Sequence, residues 1–203
     1  MITWFDIFFK NLYNKNFTIK NKTNRLQMEN YKIELEHIRL ELIHRRKNNV
    51  NSINHLRHFV DQWFCYKYGY ITNGNRAAWG KIIFKEYVSE GILKLLEKHT
   101  EEDLLNMKGK NRLIVEKEHI MPLNRITKKL LDLPIDPSIE EIEIILTENV
   151  KYATITKEED KLLIKQDMPS EYFDSNHELF NDFFARYKSV GVKLIRKNNA
   201  RTL

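Results

Sequence analysis

The spacing of apolar residues changes near residue 109, and this change limits the fold more than any other feature of the chain. Before that point, apolar side chains recur every three or four residues among charges, which is the pattern of amphipathic helices. After it, shorter apolar runs are separated by glycine and proline, and the first of these runs has an extended character. The sequence therefore predicts a mainly helical α+β protein.

The first part of the chain, residues 1–108, is predicted to form an N-terminal helical layer. The apolar spacing predicts helices over residues 25–47, 52–68 and 76–98. Residues 11–24 are rich in asparagine and lysine and lack an apolar core pattern, so we interpret them as a loop.

The second part, residues 109–195, is predicted to alternate strands with short helices, and a basic tail follows over residues 196–203. An extended stretch runs from Leu113 to Ile120, and Pro122 ends it. Lys151–Thr156 is the next strand candidate. Three helices are predicted around it, over residues 123–133, 138–146 and 156–166, and an aromatic helical segment is predicted to end near Gly191. Thr156 and Glu159 form a capping box, so the predicted order is strand, insertion, strand, helix.

The charge of the chain favours polyanionic partners. The formal net charge is +6 and the pI is near 9.2, so the surface attracts nucleic acid at neutral pH.

A single cysteine, Cys65, cannot form an intramolecular disulfide, which fits a reducing cytoplasm. Met1–Tyr13 lacks the features of a signal peptide, and no apolar run is long enough to cross a membrane. We expect a cytoplasmic protein that binds DNA. The sequence leaves open whether it forms a homodimer or binds a partner subunit.

The residues with the clearest chemical potential are Glu118 and His119, at the end of the first predicted strand. Histidine titrates near neutral pH, and rigid strand backbone can hold one of its ring nitrogens towards a cleft. The Glu118 carboxylate is a hard oxygen ligand of the kind that Mg²⁺ or Mn²⁺ prefers. Phosphodiester hydrolysis needs a base that deprotonates water and a cation that stabilises developing negative charge. The sequence therefore predicts a catalytic His119 beside one divalent ion on Glu118.

Further metal ligands are predicted at the start of the helix after the second strand, where carboxylates are clustered. Because Glu159 is assigned to the capping box, Asp160 and Glu158 are the better candidates. Lys161 and Lys165 on the same helix are predicted to contact nucleic-acid phosphates. The helix after the first strand supplies further candidates for that contact, Arg125 and Lys128.

The stretch Glu-His-Ile-Met-Pro-Leu-Asn, residues 118–124, resembles the Asp-His-Ile-x-Pro-Leu opening of HNH nucleases, a family of the His-Me finger superfamily. The resemblance covers residues 113–165 and implies a small strand-strand-helix unit of the ββα-metal type. It implies that His119 activates water and that Glu118 and one helix carboxylate hold a single divalent ion. It also implies that Asn149, entering the second strand, braces the histidine loop.

The resemblance implies a metal-dependent endonuclease that hydrolyses DNA and leaves 5′-phosphate ends, in a setting such as restriction or phage defence. Two alternatives remain open at the level of sequence. One is a non-catalytic nucleic-acid-binding protein that keeps the finger fold without its metal. The other is a helical partner or inhibitor subunit in which the Glu118-His119 pair is incidental.

Overall fold

A computed structural model describes residues 30–48, 54–109, 112–164 and 166–197 of the protein. The helices are α1 (30–48), α2 (Asn54–Lys67), α3 (Glu90–Leu96), α4 (Glu101–Asn106), α5 (Leu123–Leu131), α6 (Ile139–Asn149), α7 (Lys157–Leu162) and α8 (Ala185–Lys188). The strands are β1 (Tyr87–Ser89), β2 (Lys108–Gly109), β3 (Arg112–Leu113), β4 (Val115–His119), β5 (Tyr152–Thr156) and β6 (Leu194–Arg196). The aromatic N-terminus, the loop predicted over 11–24, Lys165 and most of the basic tail lie outside the described residues. None of the described helices is long and apolar enough to cross a membrane.

The largest apolar core lies between α1, α2, α5 and α6. It forms because each helix carries buried side chains at the spacing of one helical face: Leu35, Ile38 and Leu42 in α1, Leu56, Val60 and Trp63 in α2, Ile126 and Leu130 in α5, and Ile142 and Leu146 in α6. Gly69, just after α2, has a φ of 75°, a left-handed conformation that glycine adopts without strain. The helices predicted over 52–68, 123–133 and 138–146 are thereby confirmed as α2, α5 and α6.

A mixed sheet of four strands, in the order β4, β5, β1, β6, lies in the described part of the chain. β4 and β5 are antiparallel, and His119 lies opposite Tyr152. β1 is parallel to β5 and antiparallel to β6. α7 follows β5 directly, and Thr156 and Glu159 form the predicted capping box at its start. The mainly helical α+β class and the order strand, insertion, strand, helix are therefore confirmed.

The two faces of the sheet are covered by different layers, because successive side chains of a strand point to opposite faces. Tyr152 belongs to the core of the helical layer. Ala153 and Ile155 belong to a second apolar cluster that contains Tyr187 of the C-terminal segment. β1, which lies before residue 108, is hydrogen bonded to β5 and β6, which lie after it. The sheet therefore joins the two sequence regions that were predicted separately.

The single helix predicted over residues 76–98 is wrong. The structure has a 3-10 helix at Trp79–Ile82, then β1, then the short helix α3. Phe84 has a φ of 62°, and its N–H donates to Thr154 Oγ1 at 2.8 Å, so the chain turns towards β5 at this residue. A partner distant in sequence thus interrupts a segment whose apolar spacing alone favours a helix.

The helices predicted near the C-terminus are shorter than expected. α7 ends at Leu162 rather than near Gln166, because Leu163 is extended, with a ψ of 140°. The predicted helix before Gly191 is observed only as a 3-10 turn at Ser170–Tyr172 and the four-residue α8. Asp182 Oδ1 accepts a hydrogen bond from Phe184 N, a local turn contact that competes with helix formation.

The Glu159 carboxylate also ties α7 to α3. Its Oε2 accepts hydrogen bonds from Thr156 N at 2.8 Å and from Ser89 Oγ at 2.5 Å, and its Oε1 accepts one from Gly91 N at 3.2 Å. A Cβ atom at position 91 would lie 2.6 Å from Oε1, so a larger residue there would require the Glu159 carboxylate to shift. Glu159 therefore has a structural role, as its predicted place in the capping box indicated.

The guanidinium group of Arg46 connects α1 to the end of α5. It donates to the backbone carbonyl oxygens of residues 130, 131, 133, 134 and 135, at distances between 2.5 and 3.3 Å. These carbonyl groups lie at and beyond the last turn of α5, where no following helical N–H group is present to donate to them. Arg46 therefore acts as a C-terminal cap that comes from another helix.

We expect Arg46→Ala to lower the free energy of unfolding by about 2 kcal/mol, because several charge-assisted hydrogen bonds are lost together. Urea denaturation followed by circular dichroism measures the change. Lys47→Ala removes the adjacent, exposed cation and should change stability by less than about 0.5 kcal/mol. Equal losses in the two variants would contradict the capping role.

A buried histidine and a cationic cleft

His119 ends β4 and faces the helical layer. Its imidazole is 5% exposed, and its Nε2 lies 2.9 Å from Oδ1 of Asp61 in α2. Nε2 does not meet the geometry of a hydrogen bond, so the two groups are in close polar contact rather than joined by a linear hydrogen bond. The hydroxyl group of Tyr152, opposite His119 in β5, donates to the same Asp61 oxygen. Asp61 thus accepts a hydrogen bond from Tyr152 and lies in contact with His119.

The surroundings keep Asp61 ionised at neutral pH. Burial raises the pKa of Asp61, but the close contact with His119, together with Lys117 and Tyr152, brings the pKa below its usual value. Burial raises the pKa of Tyr152 well above its usual value, and the negative charge of Asp61 adds to that rise. Tyr152 therefore stays a neutral hydroxyl donor beside an ionised carboxylate.

Glu118 contacts the opposite layer from His119, because neighbouring strand residues alternate between faces. Its Oε2 lies 3.3 Å from Nη1 of Arg186 in α8. The same Nη1 donates to the backbone oxygen of His119 at 3.0 Å, and Nε of Arg186 donates to Ile164 O at 2.5 Å. Arg186 is 1% exposed. Glu118 and His119 are neighbours in the strand and face opposite layers. Glu118 therefore contacts a guanidinium group, whereas His119 contacts a carboxylate.

Both residues line an open cleft of about 420 Å³ at this end of the sheet. The other lining residues come from α2, from the start of α5, from the segment after α7 and from α8: Arg57, Pro122, Leu123, Asn124, Gln166 and Arg186. Arg57 is exposed, whereas Arg186 is buried in the wall. The lining carries two guanidinium groups against one carboxylate, and the ionised Asp61 carboxylate behind His119 has the charge of Lys117 to balance it. The cleft can therefore attract an anion to the imidazole.

The predicted metal ligands of α7 lie in different environments. Glu158 is exposed, whereas Asp160 is buried, with 9% of its surface exposed. Burial raises the pKa of the Tyr187 hydroxyl, the charge of Arg186 lowers it, and the charges of Glu118, Asp160 and Glu159 raise it. The convergence of Glu118 with Glu158 or Asp160 on one divalent ion stays a prediction.

The side chains do not form a ready ligand set for a divalent ion. Glu118 already has the Arg186 guanidinium at 3.3 Å, and a second cation there would be repelled by the first. In the part of the chain that the structure describes, no three His, Cys, Asp or Glu side chains are grouped so that they could hold a metal ion. This arrangement does not fit Mg²⁺ or Mn²⁺, so the divalent ion stays a prediction from the resemblance.

Asn149 is the last residue of α6 and is buried. Its Nδ2 donates to Ile145 O at 2.8 Å, and its Oδ1 accepts from Lys129 Nζ at 2.9 Å. The strand begins at Tyr152, after Asn149. The histidine loop is instead joined to the strand entrance by the backbone bond from Ile120 N to Lys151 O. The contacts of Asn149 therefore join α5 and α6.

The predicted phosphate-binding cations have varied surroundings. Arg125 packs over aromatic rings, with its guanidinium carbon 5.0 Å from the Phe173 ring centroid. Lys128 pairs with Asp167 at 2.8 Å and is more than half exposed. Lys161 is exposed on α7, and Lys165 lies outside the described residues. Of the three cations that the structure describes, Lys128 and Lys161 are the exposed ones.

Sequence reasoning missed Asp61, Arg57 and Arg186. For two of them the sequence holds a charged residue among apolar ones, which can indicate a buried charge. Asp61 directly follows Val60 in α2, and Arg186 lies within an aromatic run. Comparison with protein families, with curated proteins and with solved structures finds no match.

Proposed function

We propose that the protein hydrolyses phosphodiester bonds of DNA in the cleft beside His119. One observation carries this proposal: the imidazole lines an open, positively charged cleft while its Nε2 lies 2.9 Å from the ionised Asp61 carboxylate. A carboxylate that orients a histidine is a recurring arrangement in general-base catalysis. The resemblance of residues 118–124 to HNH nucleases and the order β4, β5, α7 give independent support.

The chemistry follows from the tautomer of His119. The Asp61 carboxylate favours a proton on Nε2, which leaves Nδ1 unprotonated and able to face the cleft. Nδ1 can take a proton from a water molecule whose oxygen attacks phosphorus, and the bond from phosphorus to the leaving oxygen breaks. Arg57 and Arg186 contribute positive charge near the phosphoryl oxygens. Asp61 is a positioning residue in this scheme, and His119 is the catalytic residue.

Plasmid cleavage tests the proposal. The wild-type chain is incubated with supercoiled DNA in Mg²⁺, in Mn²⁺ and in EDTA, beside His119→Ala and the control His99→Ala. We expect nicking by the wild-type chain and by the control, and a loss of about 10²- to 10⁴-fold in His119→Ala, the usual contribution of a general base. Activity that survives in His119→Ala would remove this residue from the mechanism. The EDTA arm tests the predicted divalent ion separately.

A second candidate is a nucleic-acid-binding protein without catalysis. The ion pair between Glu118 and Arg186 favours it, because the pair engages the carboxylate that a metal-dependent nuclease would need. A salt-dependent mobility shift of DNA by a chain that never cleaves would support this candidate. A chain that neither binds nor cleaves DNA would leave the helical partner subunit as the remaining alternative.

A further inference from the structure

Arg186 is a buried cation whose hydrogen-bonding capacity is only partly used. Nε donates to Ile164 O, and Nη1 donates to His119 O and to Glu118. Among the described residues, Nη2 has no acceptor. An arginine carries two N–H groups on each terminal nitrogen, so one end of the fork lacks a partner.

An unpaired donor on a buried charge is costly, and native structures supply a partner for almost all such groups. The partner of a guanidinium is an oxyanion or a carbonyl oxygen. Glu118 balances one positive charge, and the exposed Arg57 adds another to the same cleft lining. The unused Nη2 donor of Arg186 and the positive charge of Arg57 therefore both favour an anion in this cleft.

A phosphate group suits this surrounding better than a carboxylate. Its several oxygens can accept from two arginines at once, and a guanidinium fork matches two phosphate oxygens. The side chains of Asn124 and Gln166 add neutral amide groups to the lining. An incoming anion meets the exposed Arg57 first and the buried Arg186 at the wall beside His119.

We propose that Arg57 and Arg186 bind a phosphate group of a nucleic acid in this cleft without a metal ion. Arg186 thereby supplies, next to Glu118, the positive charge that the HNH resemblance assigns to a divalent cation. The inference rests on the proposed function for the identity of the phosphate, which belongs to the DNA backbone. It concerns binding alone, so it can be tested where no cleavage occurs.

The test measures binding of a short single-stranded oligonucleotide to the full chain in EDTA at low salt, by fluorescence anisotropy. Isothermal titrations with inorganic phosphate and with thymidine separate the phosphate group from the base. We expect the oligonucleotide and phosphate to bind in EDTA and thymidine to show no binding. Arg57→Ala and Arg186→Lys should each weaken oligonucleotide binding by about 10-fold or more, the loss of one charge-assisted contact.

Lys188→Ala is the matched control, since it removes an exposed cation from the same short helix as Arg186. We expect it to weaken binding less than about 3-fold. Arg57 is exposed and its removal does not threaten the fold, so Arg57→Ala keeps the test decisive if Arg186→Lys is unstable. Binding that requires Mg²⁺ or Mn²⁺, or that falls no more in Arg57→Ala than in the control, overturns the inference. Metal-free binding without cleavage would sustain the inference while the proposed catalysis fails.

Discussion

Asp61→Asn is expected to lower the rate of DNA cleavage by about 10²- to 10⁴-fold while KM changes little. Asp61 accepts from Tyr152 and lies against Nε2 of His119, and both of these groups carry hydrogens. Asparagine offers one acceptor oxygen and turns an NH₂ group towards one of the two donors. The imidazole proton then moves to Nδ1, so this nitrogen can no longer take a proton from water.

Steady-state kinetics of the variant, together with ¹⁵N NMR of the His119 ring, measure this prediction. The ring spectrum reports which nitrogen carries the proton, a property that general destabilisation would not change. Asp136→Asn is the matched control, because Asp136 is an exposed carboxylate paired with Arg39. An Asp61→Asn enzyme with the wild-type rate and an unchanged tautomer would show that Asp61 does not position His119.

Arg186→Met is expected to lower the free energy of unfolding by about 2 to 4 kcal/mol, because it removes one partner of a largely buried ion pair. The Glu118 carboxylate would lose its cation, and the carbonyl groups of His119 and Ile164 would lose their donor. The Glu118 side chain is 25% exposed, so water offsets part of the cost and the effect stays below that of a fully buried pair.

Urea denaturation measures the effect, with Lys188→Met as a control on the same helix. The control should lose less than about 1 kcal/mol, since its ion pair with Asp182 lies at the surface. The double variant Arg186→Met with Glu118→Gln should be more stable than the sum of the single changes predicts, because the glutamine leaves no unpaired charge. Additive losses, or a change below 1 kcal/mol in Arg186→Met, would contradict the assigned pairing.

Much of the secondary structure around the cleft could be predicted from short stretches of sequence. The capping box of Thr156 and Glu159 joins residues three apart, so its hydrogen bonds depend on neighbouring residues alone. The strand that ends at His119 and the helix that starts beyond Pro122 follow equally local rules. The helix predicted over residues 76–98 failed because Phe84 bonds to Thr154, which belongs to a distant strand.

The candidate site could be predicted only in part. His119 and Glu118 were identified from their position at a strand end, and both do line the cleft. Their partners, Asp61 and Arg186, come from opposite layers of the fold and are far from them in sequence. No pattern of neighbouring residues encodes an ion pair between distant segments.

The amino-acid sequence by itself determined the periodicity of the long helices, the capping box of α7 and the histidine at the end of β4, since these depend on contacts within a few residues. Tertiary structure alone decided which charge each side chain of the cleft meets. The alternation of side chains along β4 sends His119 to Asp61 in one layer and Glu118 to Arg186 in the other. These pairings exist because packing of the two layers against the sheet brings oppositely charged groups together out of water, where their attraction is strongest.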